Sequence, residues 1–114
     1  MADMFRLTPD ERAWLNVYRR ALEREHYGMV TRMFIYGSKA RGDVHPESDV
    51  DMLVIIRNDA HHLKRELRRL GYLLAATSEI VPSILAYIED EWGSRRKNGS
   101  SFREAMERDA VLAL

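Results

Sequence analysis

Hydrophobic positions along this chain follow two different rhythms, and the rhythm changes where the secondary structure is expected to change. In "LTPDERAWLNVYRRALEREHYG" the apolar residues Trp14, Val17, Tyr18, Ala21 and Leu22 recur at helical spacing. Thr8 is a suitable N-cap, Pro9 suits the first helical position, Glu11 completes a capping box, and Gly28 ends the helix. "MVTRMFIY" is rich in β-branched and aromatic residues and reads as a strand stopping at Gly37, after which "SKAR" makes a single helical turn. "GDVHPES" has the composition of a loop. "DVDMLVII" is apolar without alternation beyond its two acids, so it reads as a central strand buried on both faces.

The helical rhythm returns in "DAHHLKRELRRLGYLLAAT", where Leu63, Leu67, Leu70 and Leu74 form one stripe. Gly71 costs that helix about 1 kcal/mol relative to alanine, and a break is expected there. "EIVPSILAYI" reads as a third strand, which Pro82 pushes towards a sheet edge or a bulge because it cannot donate to a ladder. "EDEWGSRRKNG" reads as a short helix and turn, "SSFREAMERD" as a last helix and "AVLAL" as a short final strand. The alternation predicts an α/β or α+β fold, a small mixed sheet flanked by helices, in a single domain over residues 1–114.

Composition narrows the picture. With 46% hydrophobic residues in 114, a folded globule with one core is expected. Eighteen basic residues balance 18 acidic ones, so no overall electrostatic footprint for nucleic acid exists and no direct nucleic-acid substrate is expected. There is no cysteine, "MADMFRLTPDERAW" lacks an apolar signal segment, and no run approaches the roughly 20 apolar residues of a membrane span. A cytoplasmic protein with no membrane association is the expectation.

The chemistry concentrates in "IYGSKARGDVHPESDVDMLVII". Asp49 and Asp51, two apart on a strand, share a face at roughly 7 Å. With both ionised they repel by about 2 kcal/mol at an effective dielectric near 20. A divalent cation reverses that sign, and Mg2+, which prefers oxygen ligands, commonly completes its shell with substrate phosphates. Gly37 and Ser38 supply a turn whose backbone N–H groups can approach an anion, with the start of a helix adding partial positive charge, and Arg41 or Lys39 could add charge-assisted contacts. A phosphate turn beside a carboxylate pair is the arrangement for phosphoryl or nucleotidyl transfer. No P-loop is present.

Gly-Ser, ten intervening residues and Asp-x-Asp resemble the signature of the DNA polymerase β-like nucleotidyltransferase superfamily. The form "GSKARGDVHPESDVD", the leading helix with "MFIYGS", and the C-terminal "IEDEWGSRRKNGSSFREAMERDAVLAL" resemble the minimal nucleotidyltransferase (MNT) family. The resemblance implies a small mixed sheet with flanking helices and transfer of a nucleoside monophosphate from a triphosphate to a hydroxyl. It implies that Asp49 and Asp51 bind Mg2+, two ions in all, and that Gly37 and Ser38 hold the triphosphate of ATP, with Arg41 and Ser48 in the nucleotide-binding set. The third carboxylate, metal ligand and base, falls on Glu79, where many relatives carry Asp. Many such proteins act as antitoxins of helical HEPN toxins and adenylylate a toxin tyrosine, which makes a HEPN protein the expected partner, in a hetero-oligomer or beside a homodimer.

Plainer readings stand beside these. Asp49 and Asp51 could cap a strand, Gly37 and Ser38 could be an ordinary turn, Ser48 suits a loop cap, and Arg41 could pair with Asp43 or Asp49. Glu89, Asp90 and Glu91 suit a helix start. His45 suits a solvated loop, and His61-His62 stand too isolated for a metal site. Arg20 and His26 match the Arg-x5-His pattern of HEPN ribonucleases, but a chain with three strands is not a HEPN bundle. The runs Arg65-Arg68-Arg69 and Arg95-Arg96-Lys97 read as solvated faces or as contacts for an acidic partner or RNA. The alternative function is a non-catalytic module that neutralises its partner by binding. A small-molecule transferase would need a second acceptor domain.

Overall fold

The computed structural model describes residues 7–41, 49–97 and 101–113, without the side chains of Ser38, Arg41, Arg96, Lys97, Phe102, Arg103 and Asp109. Helix α1 (Pro9–Glu25) starts where the sequence places it. The Thr8 side chain accepts from the Glu11 N–H, and the Glu11 carboxylate accepts from the Thr8 N–H at 2.8 Å. Strand β1 (Val30–Tyr36) follows, then a single turn α2 (Ser38–Arg41), strand β2 (Val50–Ile56), a 3-10 segment Asn58–Leu63, α3 (Lys64–Ala75), β3 (Pro82–Ile88), α4 (Glu89–Lys97), α5 (Ser101–Asp109) and β4 (Val111–Leu112).

The four strands form one mixed sheet in the order β3-β2-β1-β4. β1 runs antiparallel to β2 and β4, whereas β3 is parallel to β2. β3 is thus an edge strand that opens on Pro82, where a missing donor costs least. β2 is central, and all of it except Asp51 is buried. This is the α+β mixed sheet with flanking helices expected from the alternation of elements.

The two faces of β2 enter two cores. Val50, Met52, Val54 and Ile56 pack with Met33, Ile35 and Ile84 beneath α1 and α3. Leu53 and Ile55 pack with Trp92 of α4 and Met106 of α5, joined by Phe34, Tyr36, Leu85 and Tyr87. A strand serving two cores must be apolar at every position, which is why its sequence does not alternate.

Three expectations are corrected. The second helix begins as a 3-10 segment, with no side-chain cap at Arg57 and with Ala60 pressed fully against the core. Gly71 does not break α3. A Cβ there would lie 2.5 Å from Ile84 Cδ1 and 2.9 Å from Tyr18 Cζ, and the Gly71 carbonyl accepts from Trp14 Nε1 at 3.0 Å. Tyr18, fully buried, donates its hydroxyl to the Leu67 carbonyl at 2.7 Å. Glycine therefore lets α1 approach α3 and β3 closely, and packing outweighs its low helix propensity. Val17, expected on the buried stripe of α1, is 45% exposed, and Leu15 packs in its place.

Candidate active site

The turn after β1 faces the start of β2. The antiparallel register sets Tyr36 opposite Asp51, so the chain leaves β1 at Gly37 directly beside the Asp51 carboxylate. Gly37 has φ +72°, a left-handed conformation that L side chains rarely adopt. Space imposes the same choice, because a Cβ built on Gly37 would collide with Asp51 Oδ2 and sit 3.4 Å from its carboxyl carbon. The glycine of the motif and its second aspartate are in contact.

Asp49 is exposed and immediately precedes β2, whereas Asp51 is half-buried on the strand. The buried residues Val50 and Met52 alternate with the acids, so Asp49 and Asp51 belong to the opposite face, that of Leu53 and Ile55. Parallel pairing with β3 sets Asp51 beside Ser83. Tyr36, Asp51 and Ser83 thus form a row across three strands at one end of the sheet. Burial, with the Asp51 charge as the next cause, pushes the Tyr36 hydroxyl up to about 12.

Lys39 does not serve as a phosphate contact. Its ammonium is buried and pairs with Glu11 Oε1 at 3.1 Å, with the two side chains 3% and 7% exposed. The same oxygen accepts the Thr8 N–H, so the cap of α1 and the Gly37 turn share one buried carboxylate. The sequence shows Glu11 as a capping residue and gives no sign of this second role. α2 is only four residues long and carries little macrodipole, so the anion-binding capacity of the turn rests on its backbone amides.

Glu79 lies outside β3. It is exposed, in a turn where the Ser78 hydroxyl donates to the Ala75 carbonyl and accepts from the Ile80 N–H. Because Val50 pairs with Pro82, Glu79 is at the same end of the sheet as the two aspartates, but it stands three residues before the paired region. Among the described residues no three His, Cys, Asp or Glu side chains converge on one point. Ser48, His45 and Asp43 lie outside the described residues, as do the side chains of Ser38 and Arg41.

The donor set fits a divalent cation. Asp51 on β2 and Asp49 immediately before it offer hard oxygen ligands, and phosphate oxygens brought by a substrate complete such a shell. Gly37 leaves the approach to Asp51 free of any side chain of its own.

The family model described as "Nucleotidyltransferase domain" matches residues 15–108, most of the chain. The chain belongs to the nucleotidyltransferase domain family. This nucleotidyltransferase accordingly falls in a class that transfers a nucleotidyl group, using nucleoside triphosphates and divalent metal ions. The match contains the Gly37 turn, both aspartates and all three long strands. No curated protein is found to be similar. Among solved structures, the chain resembles a Sulfolobus solfataricus protein assigned as a nucleotidyltransferase, at 19% identity and a TM-score of 0.48, over 89% of this chain and 79% of that one. Among the described residues no helix is long and apolar enough to cross a membrane.

Proposed function

We infer that this nucleotidyltransferase moves AMP from ATP to a hydroxyl of a partner protein, a tyrosine of a HEPN toxin, and acts as the antitoxin of that pair. The observation that carries the reading is the contact between Gly37 and Asp51, which sets the glycine turn directly against a carboxylate. The partner and the base rest on the resemblance of "GSKARGDVHPESDVD" and of the C-terminal segment to minimal nucleotidyltransferases.

In this reading Asp49 and Asp51 would hold the divalent metal, which when bound would supply charge neutralisation for the phosphates. The backbone at Gly37 and Ser38 orients the triphosphate, and the resemblance adds Arg41 and Ser48 to the nucleotide-binding set. The acceptor oxygen forms a bond to the α-phosphorus as the bond to pyrophosphate breaks. Glu79, exposed at the same end of the sheet, takes the acceptor proton. The protein contributes positioning and charge compensation, with no covalent intermediate of its own.

A second reading follows from the separation of Glu79 from the Asp51 row: the fold persists and the partner is neutralised by binding alone. Co-expression with the cognate HEPN protein and intact-mass measurement of that protein separates the two. A gain of one or more AMP units with wild type, absent with Asp49→Ala/Asp51→Ala, supports transfer. An unchanged mass in a stable complex with either version supports binding alone and overturns transfer.

A further inference from the structure

At the far end of β1 from Tyr36, about 20 Å along the strand, lies a second cavity. It measures about 520 Å3, within the range of small-ligand sites. Its apolar lining comes from Leu22 of α1 and Val30 of β1, and its basic lining from Arg19, Arg20 and His26. Two-residue β4 pairs only with Phe34 and Ile35, so it does not extend to this end of β1.

Two details indicate what the cavity takes. Arg19 lines the cavity beside Arg20, and its Nε is enclosed with no hydrogen bond among the described residues. A buried unsatisfied donor is costly, and a guanidinium fixed in a cavity wall is well matched to anionic oxygens, which phosphate can offer in pairs to its terminal nitrogens. Tyr27 lines the same cavity and is 78% exposed, leaving aromatic surface in solvent beside the cationic lining. Aromatic rings so placed stack on bases. Glu23, the carboxylate of the lining, suits ribose hydroxyls, which it can accept from, and disfavours a bare anion.

We propose that this cavity is a second nucleotide site, binding a nucleoside monophosphate with its phosphate on Arg19 and Arg20 and its base against Tyr27. It contains neither aspartate of the transfer site and needs no metal. The proposal does not depend on which hydroxyl the enzyme modifies.

The test is calorimetric titration of the full chain with AMP, and separately with inorganic phosphate, in EDTA, where metal-dependent binding at Asp49 and Asp51 is silent. AMP is expected to bind more tightly than phosphate. Arg19→Gln/Arg20→Gln is expected to weaken AMP by about tenfold or more, and Asp49→Asn/Asp51→Asn to leave it unchanged. Tyr27→Ala, at an exposed surface position, is expected to weaken AMP and leave phosphate alone. Absence of AMP binding, loss of binding in the aspartate variant, or phosphate binding as tightly as AMP overturns the proposal. So does full AMP affinity in a folded Tyr27→Ala.

Discussion

The Asp51 carboxylate lies against Gly37 so closely that the turn has no room for even a methyl group on that side. Two requirements, a left-handed backbone and close approach to the Asp51 carboxylate, therefore fall on one residue, and they can be separated experimentally.

Gly37→Ala is expected to abolish metal-dependent ATP binding, because the new Cβ displaces Asp51. Its backbone strain alone costs about 1–2 kcal/mol. Gly28→Ala is the control, since Gly28 has φ +76° and nothing within 4 Å of an added Cβ. It should show the strain in thermal unfolding and keep ATP binding. Equal binding loss in both variants would mean that the Gly37–Asp51 contact is unimportant.

Lys39→Met is expected to destabilise the fold by about 3–5 kcal/mol, because Glu11 is left buried without its cation. Glu11→Gln in the same chain should recover part of that loss, since the amide keeps a carbonyl for the Thr8 N–H. Denaturant unfolding of the single and double variants measures the coupling.

Gly71→Ala sets helix propensity against packing. Propensity favours alanine by about 1 kcal/mol, but the methyl meets Ile84 Cδ1 at 2.5 Å and the Tyr18 ring at 2.9 Å. Overpacking of this kind costs about 1–3 kcal/mol. A net loss of stability is expected in chemical denaturation, and a gain would show that α1 can move away freely.

Tyr36 provides the pH prediction. Its hydroxyl is raised to about 12 by burial and then by Asp51, so the folded state holds a proton that the unfolded chain releases near 10. Its contribution to stability is whole below pH 10 and is lost as pH rises from there towards 12. Absorbance titration of the phenolate should show one tyrosine whose value falls in Asp51→Asn but stays above 10, because burial is the larger cause.

Most of the fold was legible because its signals were long and periodic. The capping box at Thr8 and Glu11, the unbroken apolar run of β2 and the proline that sends β3 to a sheet edge each specify local structure through nearby residues. The Gly37–Asp51 pairing was legible as spacing, and the antiparallel register explains it as contact. Long-range relations were not. That Gly71 would serve a helix–helix approach depends on Tyr18 and Ile84, far away in sequence. That Lys39 would turn inward depends on Glu11 having an oxygen to share. That Ser83, and not Glu79, stands beside Asp51 depends on where β3 begins to pair, which an apolar run with a proline inside it leaves undetermined.

Because β2 is hydrogen-bonded on both edges and packed on both faces, its central amides should open to solvent only when the whole domain unfolds. Asp51, the second residue of that strand, is therefore anchored to an element expected to open last. The reacting partners must adjust to the carboxylate, and whatever motion accompanies turnover is left to the segments around it.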